Sequence, residues 1–328
     1  MAADSLQAEL QAALTDQYSI DRELPRGGMS RVFVATEDAL RRRVVIKVLA
    51  PELAATLSAE RFKREIALAA RLQHPHIVPL LSSGLAGSHL YYTMPFVDGA
   101  SLRERITRER PMAFDEIVRI LEEVARALAY AHEEAVVHRD IKPENVMFFH
   151  GQAVVLDFGI GKALISASTS ETELLRITQV GMSLGTPTYV APEQGAGDPA
   201  LDHRADLYAL GVVAYEMLTG RPPFAGTSPK QVIEAHARQT PKPLSERRPD
   251  VPKPLADIVM RMLAKLPDDR PASGDEIVAA LSVNMSPRHS GGGPVVETLA
   301  NAPVWVPWAI AGVMTVVALV LGGLYLMR

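Results

Sequence analysis

The sequence predicts an α+β fold of two lobes, followed by one transmembrane helix. Short runs of β-branched and aromatic residues, such as RVFVAT, RRVVIKVLA and HLYYTMPFV, make residues 18–98 a small β-rich lobe. Helical periodicity dominates residues 99–281, for example along DEIVRILEEVARALAYAHEE, and indicates a larger helical lobe. A β-rich unit followed by a helical unit is an α+β architecture.

The composition is that of an ordinary globular protein and excludes several classes. The chain has 328 residues, with 34 Lys plus Arg against 38 Asp plus Glu, and a formal net charge of −4. Without a basic excess, electrostatically driven nucleic-acid binding is disfavoured, and we expect no nucleic-acid partner. The sequence has no cysteine, which excludes disulfides, zinc–thiolate sites, iron–sulfur clusters and thiol catalysis.

Residues 1–17 are an N-terminal extension that precedes the first predicted strand. They do not resemble a signal peptide, because they lack a basic start and an apolar core and include acidic residues such as Glu9. The spacing of Leu6, Leu10 and Leu14 predicts a short amphipathic helix. A second helix is predicted inside the small lobe, at SAERFKREIALAARL.

The other end of the chain predicts a membrane anchor. Residues 282–303 are rich in Ser, Gly and Pro and read as a flexible linker. Residues 304–327 contain no charge, and as a helix they would span roughly 35 Å, enough for the hydrocarbon core of a bilayer. Trp305, Trp308 and Tyr325 stand near its ends, where interfacial aromatic residues belong. The length disfavours the alternative of a buried core helix.

Two features of the small lobe suit the binding of a phosphorylated ligand. The turn LPRGGMSRV, at residues 24–32, contains Gly27 and Gly28, which would let backbone N–H groups approach phosphate oxygens closely. Taken alone, such a turn is more often a simple hairpin. Lys47 lies in the apolar run VVIK, where a buried ammonium needs a counter-ion. Glu65, on the following helix, is its natural partner.

The most specific motif is HRDIKPEN, at residues 138–145. It places a carboxylate, a cation and an amide within six positions, as Asp140, Lys142 and Asn145. Shortly afterwards the run VVLDFG sets Asp157 at the end of an apolar strand. Such groups converging on one phosphate are what phosphoryl transfer needs, and hard oxygen ligands suit Mg²⁺.

Together with GTPTYVAPEQ and DHRADLYALGVVAYEMLTGRPPF, these motifs resemble the protein-kinase signature set, and in particular the bacterial eukaryotic-like (Hanks-type) serine/threonine kinases. The resemblance covers about residues 18–281. It implies a two-lobed protein-kinase-like fold, and transfer of the γ-phosphoryl of ATP, with Mg²⁺ or Mn²⁺, to Ser and Thr hydroxyls of protein substrates. It also suggests a homodimer formed through the small lobe.

The resemblance assigns chemical roles to four residues of the large lobe. Asp140 accepts or orients the proton of the attacking hydroxyl, and Lys142 neutralises charge on the transferring phosphoryl group. Asn145 and Asp157 bind the metal. The lysine at position 142 is the serine/threonine-kinase form of the motif.

The resemblance also implies a nucleotide pocket in the small lobe. Lys47, held by Glu65, contacts the α- and β-phosphates. Pro95 offers a carbonyl and Val97 an N–H to adenine. The phosphate-covering turn departs from the family, because Pro25 stands at the first glycine position. The further pocket positions are Gly27, Gly28, Ser30, Val32, Val45 and, as gatekeeper, Met94.

The segment between Asp157 and Glu193 is implied to be an activation segment. We hypothesise that autophosphorylation, with Thr178 as the best site, orders this segment by pairing the phosphate with the guanidinium of Arg139. An unmodified polar linker is the alternative for any one of its Ser and Thr residues.

Four residues are implied to have structural roles. Thr186 hydrogen-bonds the catalytic Asp and Lys, and Glu193 forms a buried ion pair with Arg270. Asp206 holds the backbone of the catalytic loop.

Two other functions remain open at this stage. A catalytically silent ATP-binding scaffold is supported by Pro25 and weakly by the bulky Val45, but the full set of catalytic side chains opposes it. A purely structural membrane adaptor explains only the tail. Because ATP is cytosolic, we expect a single-pass protein of the inner membrane with the kinase lobes in the cytoplasm.

Overall fold

The computed structural model describes residues 2–24, 30–50, 59–158 and 187–285. Several predicted features lie outside these ranges and stay predictions: Pro25, Gly27, Gly28, Thr178, Thr186, the part of the predicted linker 282–303 from residue 286 onward and the span at 304–327. Residues 282–285 of that linker instead belong to the helix Gly274–Met285. Within the described residues, no helix is both long enough and apolar enough to cross a bilayer.

The small lobe is built on an antiparallel sheet. In chain order its strands are β1 (Tyr18–Glu23), β2 (Ser30–Glu37), β3 (Arg42–Leu49), β4 (Ser82–Ala86) and β5 (His89–Pro95). They lie in the order β1-β2-β3-β5-β4. Successive side chains of a strand point to opposite faces, and in the central strand β3 both Val45 and Ile46 are buried. The sheet is therefore covered on both sides.

Helix α1 (Ala2–Leu14) covers one face of this sheet. Leu6, Leu10 and Leu14 are at most 8% exposed and share an apolar cluster with Ile46. The predicted amphipathic helix therefore forms, and it is part of the core of the small lobe.

The polar residues of α1 bind the sheet as well. The side-chain amide of Gln11 donates to the carbonyl of Tyr18 at 3.0 Å and accepts from the N–H of Ile20 at 2.7 Å. These bonds satisfy the free edge of β1, which has a partner strand on one side only. Glu9 contacts His89 of β5 at 3.2 Å.

Helix α2 (Ala59–Ala69) covers the opposite face. Its Phe62 and Ile66 pack in a second apolar cluster with Val45 and Met94 of the sheet. The alternation along β3 and β5 thus divides the apolar side chains between α1 and α2.

The large lobe is helical. Its helices are α3 (Leu102–Arg108), α4 (Phe114–Glu133), α5 (Pro192–Ala196), α6 (Arg204–Thr219), α7 (Pro229–Arg238), α8 (Leu244–Arg247), α9 (Lys253–Met262) and α10 (Gly274–Met285). Every residue of α6 from Ala205 to Leu218 is buried. A helix that is buried on every side lies within the core, and α4 and α9 pack against it.

A short hairpin positions the catalytic motifs. The 3₁₀ helix Pro143–Asn145 leads into β6 (Val146–Phe149), which pairs with β7 (Gln152–Val155). The N–H of Phe148 donates to the carbonyl of Ala100 at 3.0 Å. This close approach needs Gly99, because a Cβ there would lie 1.9 Å from the carbonyl oxygen of Phe148. The predicted two-lobed α+β architecture is confirmed.

Candidate active site

The motif at residues 138–145 folds into a tight loop that collects its three functional side chains. The ammonium of Lys142 donates to Oδ2 of Asp140 at 2.7 Å. The amide nitrogen of Asn145 donates to the backbone carbonyl of Asp140 at 2.8 Å and to its Oδ2 at 3.1 Å. These bonds form because the 3₁₀ turn brings the N–H of Asn145 back to the carbonyl of Lys142 at 2.9 Å.

The loop is held from the core by Asp206, which is 1% exposed. Its carboxylate accepts the backbone N–H groups of His138 and Arg139, each at 2.7 Å, and a ring nitrogen of His132 lies at 2.9 Å. Burial alone would raise the pKa of Asp206, but the contacts with His132 and His138 outweigh it and hold that pKa below its ordinary value. Asp206 thus makes the contacts expected of it.

The second acidic group, Asp157, lies just beyond β7. Its Oδ2 receives the ammonium of Lys47 at 2.6 Å, and its Oδ1 accepts the hydroxyl of Tyr92 at 3.1 Å. The side chains of Lys47 and Asp157 are 18% and 16% exposed. Burial, together with Asp157, raises the pKa of the Tyr92 hydroxyl well above its ordinary value, so this hydroxyl stays a donor.

The ion pair expected between Lys47 and Glu65 is not formed in the part of the chain that the structure describes. Lys47 uses Asp157 instead, while Glu65 lies half-buried on α2. A partly buried ammonium needs one close counter-ion, and Asp157 supplies it. The sequence predicts Glu65 as the partner of Lys47 and Asp157 only as a metal ligand, because the sequence does not show how α2 sits against β3.

The hairpin brings the two motifs to one place. The N–H of Leu156 donates to the carbonyl of Asn145 at 2.9 Å, and a ring nitrogen of His138 lies 2.7 Å from the carbonyl of Leu156. The ring of Phe158 packs edge-on against His138, with centroids 4.7 Å apart. Asn145 enters β6 and Asp157 follows β7, so both lie at the same end of the hairpin.

This pair of oxygen donors fits a magnesium ion. The amide nitrogen of Asn145 is committed to Asp140, so its oxygen, together with the Asp157 carboxylate that also contacts Lys47 and Tyr92, would be the donors for a hard cation. The described residues contain no group of three or more His, Cys, Asp or Glu that could hold a metal. Mg²⁺ suits such a set, because it binds through one or two protein oxygens plus phosphates and water.

The pocket residues predicted in the small lobe form one apolar surface where they are described. Val32 lies opposite Lys47 in the register of β2 and β3, and Val45 lies opposite Met94 in that of β3 and β5. All three apolar side chains belong to the cluster beneath α2. Three further positions flank this surface: Ser30 begins β2, Pro95 ends β5 and Val97 follows it.

Comparison with known sequences identifies the family. The family model of the protein kinase domain matches residues 18–281. The chain belongs to the protein kinase family. The serine/threonine-protein kinase PknB of Mycolicibacterium smegmatis is 40% identical over 274 residues, which are 82% of this chain and 43% of that protein. The serine/threonine-protein kinase pkn2 of Myxococcus xanthus is 37% identical over 289 residues, 86% of this chain and 33% of that protein.

These kinase relatives are bacterial, and the prediction of a Hanks-type serine/threonine kinase family is confirmed. The chain spans less than half the length of these curated relatives. Among solved structures, a crystal structure of Rad53 residues 1–466 in complex with AMP-PNP superposes with a TM-score of 0.66 at 22% identity. The match covers 81% of this chain and 65% of that one, and it confirms the kinase fold.

The predicted pair of Glu193 and Arg270 is present in this member of the protein kinase family. Two nitrogens of the Arg270 guanidinium reach the two oxygens of Glu193 at 2.6 and 2.8 Å. Arg270 also donates to the carbonyls of Ala264, Arg204 and Lys265 at 2.9 to 3.0 Å. The hydrogen-bond donors of the buried guanidinium therefore all have acceptors.

One part of the site was not predicted from the sequence. A cavity of about 400 Å³ adjoins Asp140 and Lys142 and is also lined by Arg103, Glu144 and Glu216. Glu144 lies inside the motif at 138–145 and was not assigned a role, whereas Glu216 lies in the buried helix α6. An acidic residue in an apolar helix was the available signal, because a buried carboxylate requires a partner.

Proposed function

We propose that this chain is a serine/threonine protein kinase that transfers the γ-phosphoryl group of Mg²⁺-bound ATP to Ser and Thr hydroxyls of proteins. One observation carries the proposal: Asp140, Lys142 and Asn145 are hydrogen-bonded together at the end of the hairpin from which Asp157 emerges. Lys47 reaches the same place from the small lobe, 2.6 Å from Asp157. The serine/threonine-protein kinase relatives and the AMP-PNP in the Rad53 complex support it.

The geometry suggests what each side chain does. Asp140 orients the attacking hydroxyl and takes up its proton, and its bond to Lys142 places a cation beside the reacting oxygen. Lys47 binds the phosphates. Asn145 and Asp157 would hold Mg²⁺, which when bound neutralises charge on the β- and γ-phosphates.

The test is phosphate transfer by the full chain in detergent, with radiolabelled ATP, MgCl₂ and a generic basic protein. We expect label on Ser and Thr, and a rate about 100-fold or more lower in Asp140→Asn, in the range typical of a lost general base. Asp257→Asn is the matched control, because its 61%-exposed side chain pairs with Lys253 on the surface of α9. Transfer that survives Asp140→Asn unchanged would contradict the assignment.

The same assay separates this proposal from the silent scaffold. A scaffold binds ATP, which a fluorescent nucleotide analogue reports, yet transfers no phosphate. Because Lys47, Asp140, Asn145 and Asp157 all occupy one site, we expect both binding and transfer.

We also propose that residues 304–327 anchor the kinase in the membrane, with the lobes in the cytoplasm. The uncharged run and its terminal aromatic residues support this. The full chain should resist alkaline extraction from bacterial membranes, whereas a chain ending at residue 285 should be released. Release of both would contradict the anchor.

Autophosphorylation at Thr178 is the regulatory part of the proposal. The side chain of Arg139 lines the cavity beside Asp140, where a guanidinium can bind a phosphate bidentately. Phosphopeptide mapping should find phosphate at Thr178 in the wild type and none in Asp140→Asn. An active enzyme without phosphate in the segment between Asp157 and Glu193 would contradict it.

A further inference from the structure

The cavity beside Asp140 contains two carboxylates that share one internal cation. Nε of Arg103 donates to Oε1 of Glu144 at 2.7 Å, and Nη1 donates to Oε1 of Glu216 at 2.7 Å. Nη2 of Arg103 also donates to the hydroxyl of Tyr189, and that hydroxyl donates to Glu216. One guanidinium therefore joins the catalytic loop, helix α6 and the segment that precedes α5.

Helix α3 sets the position of this guanidinium. Ser101 caps the helix, since its N–H donates to Oε2 of Glu104 at 2.7 Å and its hydroxyl accepts the N–H of Glu104 at 3.2 Å. Arg103 is the second residue of this helix and lies in its first turn. The capped helix end thus fixes the backbone position from which the Arg103 side chain makes its contacts.

The two carboxylates differ in burial. The side chain of Glu216 is 5% exposed and that of Glu144 is 47% exposed, while Arg103 is 29% exposed. Burial alone would lower the pKa of Arg103, but the hydrogen bonds to Glu216 and Glu144 outweigh it and hold this pKa above its ordinary value. Glu216 is therefore a buried anion that has a cation already in place.

A carboxylate pair in a groove beside the phosphate-accepting site is a receptor for a guanidinium, because Arg binds carboxylates bidentately. A substrate whose arginine entered this cavity would have to displace Arg103 from both carboxylates. The substrate arginine would take over the ion pairs that Arg103 makes with Glu144 and Glu216, so the net number of ion pairs would not rise. Arg103 would lose both of these counter-ions. The net free energy for selecting a basic residue is therefore small.

We propose that Arg103 is a specificity-determining residue of the substrate groove: it occupies the Glu144–Glu216 pair as an internal substitute for a substrate arginine, so that the kinase does not select basic residues there. This inference rests on the proposed kinase function. It predicts that a variant without the Arg103 charge gains a substrate preference rather than losing one. Removal of the Arg103 charge exposes the two carboxylates and creates a preference for substrate arginine.

The test compares matched peptides that differ in a single Arg-to-Gln exchange, scanned through the positions before the acceptor Thr. For the wild type we expect kcat/KM ratios within about threefold at every position, which is under 1 kcal/mol. For Arg103→Met, and for the milder Arg103→Gln, we expect at least a tenfold preference for the Arg peptide at one position, carried by KM. The double variant Arg103→Met with Glu144→Gln should lose most of that preference.

Arg108→Met is the matched control, because it removes the same charge from the same helix. Arg108 is 65% exposed and pairs with Glu109, away from the cavity. We expect its peptide ratios to equal those of the wild type. A general change in folding or charge would move both variants together.

A readout without catalysis keeps the inference separate from the proposed function. Fluorescence anisotropy of an Arg peptide with Ala in place of the acceptor should show tighter binding to Arg103→Met than to the wild type or Arg108→Met. A wild type that transfers no phosphate would overturn the kinase proposal alone, since the anisotropy comparison still decides the role of Arg103. A wild type that already prefers the Arg peptide tenfold, or an Arg103→Met variant with unchanged ratios and binding, would overturn this inference.

Discussion

The ammonium of Lys47 lies 2.6 Å from the carboxylate of Asp157, although 110 positions separate them in the sequence. The contact joins the central strand of the small-lobe sheet to the segment beyond β7. Because both side chains are mostly buried, each supplies the counter-charge that the other needs. Lys47 therefore pairs with a residue of the large lobe rather than with Glu65 of its own lobe.

The first prediction uses this difference in pairing. Lys47→Met should lower the free energy of unfolding by about 1–3 kcal/mol, because it leaves Asp157 partly buried with Tyr92 as a neutral donor. Glu65→Gln should change it by less than about 0.5 kcal/mol, because among the described residues Lys47 pairs with Asp157 and not with Glu65. Thermal unfolding of the two variants beside the wild type measures both. Equal destabilisation by the two variants would contradict this pairing and indicate that Lys47 is stabilised by Glu65.

The second prediction concerns the ion pair of Glu193 and Arg270. The Arg270 side chain is fully buried, and removing one member of such a pair costs about 3–5 kcal/mol. Glu193→Gln should therefore strongly lower the unfolding temperature. Arg270→Lys should do so as well, because an ammonium cannot reproduce the bidentate contact.

Asp268→Asn is the control for that pair. Asp268 contacts Arg204 but is 92% exposed, and exposed ion pairs contribute about 0–1 kcal/mol. We expect no measurable change in its unfolding temperature. A comparable loss in this variant would mean that the burial of Arg270 is not what matters.

The third prediction concerns acid stability and His236. Burial, with a smaller effect of the nearby Lys265, lowers the pKa of His236 from 6.5 to about 4. Between these values the unfolded chain binds a proton that the folded chain does not, so stability falls as the pH drops from about 6.5 to 4. His236→Gln should reduce the slope of the urea midpoint against pH in this range. The reduction should correspond to at most one proton in the difference between the unfolded and the folded chain.

The exposed His150 provides the comparison for His236. His150→Gln should leave the slope of the profile unchanged, because this exposed side chain is not buried on folding. A His236→Gln profile as steep as that of the wild type would assign the acid sensitivity to other groups. The midpoint at pH 7.5 also reports the lost contact between His236 and the hydroxyl of Tyr208, 2.9 Å apart.

The sequence predicts this site best where the functional groups are close in the chain. Asp140, Lys142 and Asn145 lie within one loop, and their mutual contacts follow from its short turn. The two-lobed fold was also predictable, since periodicity changes from strand-like to helical near residue 99.

Contacts between distant elements could not be predicted from spacing along the chain; the family resemblance supplied the pair of Glu193 and Arg270, but not the partner that Lys47 has in the structure. Two carboxylates were chemically suitable for Lys47, and only the packing of α2 decides between them. Arg103 and Glu216 lie 113 positions apart, and their residue types fit a solvated helix face and a helix interior. The spacing of two residues that are far apart in the sequence does not show whether they meet. Only the folded structure shows that such pairs are in contact.

The fourth prediction concerns helix α1, which lies outside the region matched by the protein kinase domain. Leu10 has 0% exposure and packs beneath the sheet with Phe33 and Ile46. Leu10→Ala should cost about 2–5 kcal/mol, as for other large-to-small changes in cores. The exposed Ala13, on the outer side of the same helix, is the control, and Ala13→Lys should be neutral. Thermal unfolding decides, and a neutral Leu10→Ala would mean that α1 is an appendage that the small lobe does not need.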